Sequence, residues 1–149
     1  IKKDFPEIAL RTSLITGFPD ETETDFKELL SFIKQNYFEH VGIFGYSDQK
    51  LAKSYKLKNK ISQRIIEKRV QLLANAQFKN VEKNNKEKKG KTFEVLPETI
   101  SEGKIHCRAF FQAPEIDNTI IVNKNKNIEL GKFTKVTIKD YKDYDLIAK

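Results

Sequence analysis

The sequence predicts a mixed α/β chain in two parts: a strand–helix–strand unit of parallel sheet within residues 1–89, then a small closed all-β barrel over residues 90–149. Three observations predict it. Two apolar, β-favouring runs, residues 8–16 and 41–46, flank one segment with helical spacing, and such short joints between strand, helix and strand mark a parallel sheet. A Lys- and Asn-rich stretch, residues 83–90, then breaks the apolar pattern and reads as a linker. Beyond it, five short β-like runs crowd into about 60 residues, which suits a closed barrel of the OB-like sort because closure removes exposed strand edges.

Each element carries its own signals. The run IALRTSLIT ends in Gly17-Phe18-Pro19-Asp20, a buried strand entering a turn. Thr22 is a good N-cap, Asp25 stands three positions later as its capping-box partner, and Glu21 and Glu23 favour the positive helix end. Phe26, Leu29, Leu30, Ile33 and Tyr37 then share one helical face. A second helix starts near Ser62, with Ile65, Ile66, Val70, Leu73, Phe78 and Val81 as its stripe. The barrel strands fall at residues 92–96, 105–113, 119–123, 133–139 and 144–148, separated by turn-prone pieces such as Ser101-Glu102-Gly103 and Leu130-Gly131-Lys132.

Composition narrows the function classes. Hydrophobic residues at 38% and aromatics at 11% allow a packed core. No apolar run approaches the roughly 20 residues that span a bilayer, and no signal-peptide pattern is present, so a cytoplasmic address is expected. A single cysteine, Cys107, excludes an internal disulfide and any multi-cysteine metal or cluster site within these residues. The net charge is +7, and residues 50–91 hold 14 Lys and Arg against three Glu. That stretch reads equally as a solvated surface or as an RNA-facing patch. Residues 90–149, with ten basic and nine acidic side chains, are almost neutral. The chain contains no methionine and opens on Ile1. An initiator Met is retained ahead of a large residue, so a segment of a longer protein is expected.

The strongest local signal is Arg11-Thr12-Ser13-Leu14-Ile15-Thr16-Gly17-Phe18-Pro19-Asp20-Glu21-Thr22. A strand ending in Gly-Phe-Pro before a capped helix lets backbone approach a ligand at the carboxyl end of the strand, where α/β folds bind ligands. By composition alone it is also a plain strand-to-helix turn. The segment resembles the R-T-x-x-I-x-G-F-P-G-E-T strand of radical-SAM methylthiotransferases, with Asp25 and Phe26 continuing the match. The resemblance implies the C-terminal part of a radical-SAM (partial TIM-like) barrel, followed by a TRAM domain. It implies S-adenosylmethionine as cofactor, with Ile15 packed on its adenine, Gly17 admitting backbone to it, and Arg11 facing an anionic group. Val41-Gly42-Ile43-Phe44-Gly45-Tyr46-Ser47 resembles the next barrel strand, so the backbone through Phe44 and Tyr46 is expected to border the adenine. Asp20 replaces the family's usual Gly and must tolerate left-handed geometry or turn differently.

Ala113-Pro114-Glu115-Ile116-Asp117-Asn118, with Tyr144-Asp145-Leu146 downstream, is otherwise only a turn between strands. It is similar to the A-P-E-I-D-G and Y-D-L of the RimO type, which modifies an aspartate of a small-subunit ribosomal protein. Asn118 stands for the usual Gly, and Asn also accepts positive φ. Arg108, Glu115 and Asp117 are the candidate substrate-binding residues. The near-neutral charge fits a module that grips a basic protein better than one that grips RNA phosphates. His40, His106 and Cys107 show no ligand spacing and read as structural.

The resemblance implies a parent enzyme with two 4Fe–4S clusters, whose cysteine ligands lie outside this chain. No catalytic residue and no metal ligand is therefore assigned here, and the chain alone is expected to be inert. Two alternatives stay open. A tRNA adenosine methylthiotransferase would use the basic residues 50–91 for RNA contact. A non-enzymatic OB-like binding module would lack a C-x-x-x-C-x-x-C motif upstream of Ile1.

Overall fold

A computed structural model of the chain describes residues 1–5, 7–123 and 127–149. The chain divides into two compact units, one of residues Leu10–Asn80 and one of Ile1–Ala9 with Val81–Lys149.

In the first unit, strands β1 (Arg11–Thr16) and β2 (His40–Gly45) pair in parallel, with helix α1 (Glu23–Lys34) as the crossover between them. The capping box forms as expected. Thr22 Oγ1 accepts the Asp25 N–H at 3.1 Å, and the Asp25 carboxylate accepts the Thr22 N–H at 2.8 Å. The helix stops where Asn36 takes φ +56, a left-handed ending that Asn tolerates. Tyr37, assigned by spacing to the apolar face, therefore lies beyond the helix and is exposed. The core is Phe26, Ile33, Leu73 and Ala76, with Leu14, Leu29, Leu30 and Ile43 packed against it. Leu73 and Ala76 come from helix α2 (Gln63–Lys88). Its Asn80 amide donates 2.7 Å to the Ile33 carbonyl, one of the acceptors that a helix end leaves unpaired.

Two readings of α2 are corrected. Ile65 is exposed, and Arg69 stands among the buried residues of that face between Ile66 and Leu73. The helix also continues to Lys88, through residues read as linker. Within the second unit Asn85 is buried and donates to the Tyr144 carbonyl at 3.1 Å, while the Lys88 ammonium sits 5.2 Å from the Phe111 ring centre. Such contacts hold a helical turn that has no apolar stripe. Gly90, at φ +80, ends it.

The second unit is a closed barrel of β3 (Thr92–Ser101), β4 (Lys104–Ala109), β5 (Ile120–Asn123), β6 (Thr134–Lys142) and β7 (Asp145–Ala148), in the order β3-β4-β5-β7-β6. All pairings are antiparallel except β5 with β7. Alternate residues fill the interior: Val95, Ile105, Cys107, Ala109, Ile120, Val122, Val136, Ile138, Leu146 and Ala148. This is the period of two that half-buried strands require. Strand β3 runs past Leu96 because a bulge between Pro97 and Thr99 accommodates the proline, which has no N–H to donate. The mixed α/β class and the five-stranded closed barrel agree with the sequence expectation. Among the described residues, no helix is long and apolar enough to cross a membrane.

Candidate functional site

The parallel register sets Ile15 beside Phe44 and Arg11 beside His40. Side chains alternate along each strand, so Leu14 and Ile43 enter the core while Arg11, Ser13 and Ile15 share the opposite face with Phe44. Ile15 is 60% exposed and Phe44 56% exposed, an open apolar pair on a two-stranded sheet. Gly42 lies between them and the start of the sheet. A Cβ there would come within 3.0 Å of the Phe44 ring and 3.2 Å of Ser13 Oγ.

At the carboxyl ends of the strands, Gly17 turns the chain at φ +88. A Cβ on Gly17 would fall 2.5 Å from Ile66 Cγ1, and one on Gly45 would fall 2.7 Å from Ile66 Cγ2. Both glycines thus make room for one side chain of α2. The Tyr46 N–H donates to the Thr16 carbonyl at 2.8 Å, its ring meets Phe18 edge-on at 5.2 Å, and its hydroxyl donates to Asp48 at 3.0 Å. Asp48 is paired with Lys60, whose hydrogen bond holds the Asp48 carboxyl below its usual value. A cleft of about 630 Å³ opens here, lined among others by Gly17, Pro19, Tyr46, Lys60, Gln63 and Ile66. Of the five candidate cofactor residues, Gly17 and Tyr46 meet in this cleft. Ile15 and Phe44 meet on the sheet face, which Arg11 shares.

Sequence reasoning missed the buried polar node behind this turn. The Glu21 carboxylate accepts the Thr16 hydroxyl and the Gly17 N–H, each at 2.9 Å, and an ion-paired hydrogen bond from Arg69. The Arg69 side chain is only 8% exposed. It lies 5.1 Å from the Phe26 ring centre and reaches Glu23 at 3.3 Å. One signal was available: a cation inside an apolar stripe calls for a buried anion, since an unpaired buried charge is prohibitively costly. Asp20 does adopt the left-handed geometry considered for it, at φ +72, and its carboxylate accepts the Asn59 amide at 2.5 Å.

In the barrel unit, Arg108 is paired with Glu98 at 2.8 Å. Asp117 accepts the Ala113 N–H at 2.6 Å and so holds its own turn. Glu115 is exposed, as are Phe110 and Ile116 on the same segment. Asn118 does not use the positive φ that Asn accepts; in this segment Glu115 takes it, at +62. Asn118 is kept by its amide, which donates to the Tyr144 carbonyl at 2.6 Å. Cys107 is 1% exposed, and burial pushes its thiol up to about 11. Among the described residues, no three His, Cys, Asp or Glu side chains gather as metal ligands would.

Comparison with known proteins first defines the class of the barrel unit: the TRAM domain family matches residues 90–149. The whole chain then finds relatives named ribosomal protein uS12 methylthiotransferase RimO. Identity is 38% over 146 residues with that of Thermoanaerobacter sp. (strain X514), covering 98% of this chain and 34% of the relative. It is 37% over 150 residues with that of Endomicrobium trichonymphae, again 98% and 34%. With that of Thermosipho africanus (strain TCF52B) it is 41% over 149 residues, 100% and 34%. The chain spans about a third of the length of the curated relatives it matches. It is similar along its whole length to the RimO methylthiotransferase family, the type to which the segment around Ala113 pointed.

Proposed function

We propose that this chain is part of a radical-SAM methylthiotransferase that modifies the β-carbon of an aspartate in a small-subunit ribosomal protein. In this reading residues 1–89 are the last strands of the radical-SAM barrel with a trailing helix, and residues 90–149 are its TRAM domain. The observation that carries it is the open apolar pair Ile15 and Phe44, side by side on a parallel strand pair. A flat adenine suits such a surface, and the missing Cβ of Gly42 lets the Phe44 ring lie close against the strand. Ile15 and Phe44 would hold the adenine of S-adenosylmethionine, Gly17 and Tyr46 would border it, and Arg11 would offer a cation on the same face. The bound cofactor supplies radical and methyl chemistry, while these residues bind it, orient it and exclude water. An iron–sulfur cluster is held by several cysteine thiolates, and this sequence has a single cysteine, Cys107. In this reading the cluster ligands belong to other parts of the protein, and the chain alone is expected to be inert.

On the substrate side, exposed Glu115, flanked by Phe110 and Ile116, suits a basic protein segment. The relatives' name specifies the ribosomal protein uS12. A second reading, a tRNA adenosine methylthiotransferase, is favoured by the 14 cations of residues 50–91. Equilibrium binding of the chain to the ribosomal protein and to tRNA, over a series of salt concentrations, separates the two. We expect binding to the protein; salt-sensitive binding to tRNA alone would overturn the protein-substrate reading.

A further inference from the structure

We propose that Arg69 is a positioning residue for the cofactor end of β1, acting through Glu21 on the Gly17 turn. The inference rests on the reading above, that this strand end binds S-adenosylmethionine.

The peptide joining Thr16 to Gly17 is held on both sides. Its N–H donates to Glu21 at 2.9 Å, and its carbonyl accepts the Tyr46 N–H at 2.8 Å. The Thr16 hydroxyl donates to the same carboxylate at 2.9 Å. The place of Glu21 thus sets the orientation of this peptide, and with it the approach of Ile15 on one side and Tyr46 on the other. What sets Glu21 is Arg69, across 48 residues of sequence. One guanidinium ties the end of β1 to the first turn of α1, through Glu23 and the Phe26 ring, and anchors both to α2.

Two features separate positioning from plain stabilisation. A buried ion pair is seldom more stable than apolar residues of the same volume, so its retention needs another reason. Among the described residues, the Arg69 Nε is moreover buried without a hydrogen-bond partner, a cost that calls for an explanation. The planar, forked guanidinium does what a lysine ammonium cannot: it stacks on Phe26 while binding two carboxylates in fixed directions.

The test uses the full-length protein, with S-adenosylmethionine affinity measured by equilibrium binding alongside thermal melting. In the double variant Arg69→Met/Glu21→Gln, which keeps volume and removes both charges, we expect melting close to wild type and affinity weakened about tenfold, roughly 1.4 kcal/mol. Arg69→Lys, which keeps the charge and is the milder change, should weaken affinity by less, a partial rescue. KM for S-adenosylmethionine should rise in step with these losses while kcat changes less. Variants that bind the cofactor within about twofold of wild type overturn the inference and leave the cofactor reading standing. A wild-type protein that does not bind S-adenosylmethionine overturns the reading and the inference together.

Discussion

Gly17 and Gly45 both face Ile66, yet they are not equivalent. Gly17 combines φ +88 with a Cβ position 2.5 Å from Ile66 Cγ1, whereas Gly45 has an ordinary φ and a Cβ position 2.7 Å from Ile66 Cγ2 and 3.5 Å from Val70 Cγ2. Gly17→Ala should therefore cost about 1–3 kcal/mol from overpacking plus the strain of a left-handed alanine. Gly45→Ala should cost less, and Ile66→Ala, which removes both the Cγ1 and the Cγ2 that the new methyl groups would meet, should relieve part of either loss. Urea melts of the single and paired variants check the order; equal losses at the two glycines would remove the case for strain at Gly17. The glycine was legible in its motif, but its packing role was not. Ile66 lies 49 residues further on, and nothing local announces it.

Helix α1 was legible almost residue by residue, because a capping box is a local device. Thr22→Ala should lower stability by about 1 kcal/mol. The Asp25 carboxyl is held below its ordinary 3.8 by hydrogen bonds from Thr22, the backbone N–H first. A depressed carboxyl contributes stability that is complete above its unfolded value and is lost as pH falls through the folded one. The cap should therefore hold at neutral pH and weaken below about pH 3.8. Asp25→Asn should flatten that acid limb in melts taken between neutral pH and strong acid; an unchanged limb would mean that the cap does not titrate. The last turns of α2 were not legible. Asn85, Lys86 and Lys88 carry no periodic apolar signal, and their helical state rests on contacts such as that of Asn85 with Tyr144.

At the level of the whole chain, the two units have separate cores, one around Leu73 and one inside the barrel. Leu73 is fully buried, so Leu73→Ala should cost about 2–5 kcal/mol. Hydrogen exchange should show protection falling at the amides of residues 10–80 while barrel amides such as Val95, Ile105 and Ile120 stay protected. A uniform fall would mean that the units unfold as one. Alternation of apolar residues, turn residues and the shift in rhythm after Gly90 were enough to announce an α/β unit and a five-stranded barrel, because both rest on periods of 3.6 and 2 that short windows display. The pairing of β5 with β7, the closure of β6 on β3, the Arg69–Glu21 node and the meeting of Ile15 with Phe44 were decided only once the chain was folded. Each joins residues dozens of positions apart, and their energy comes from burial and pairing that no local window contains.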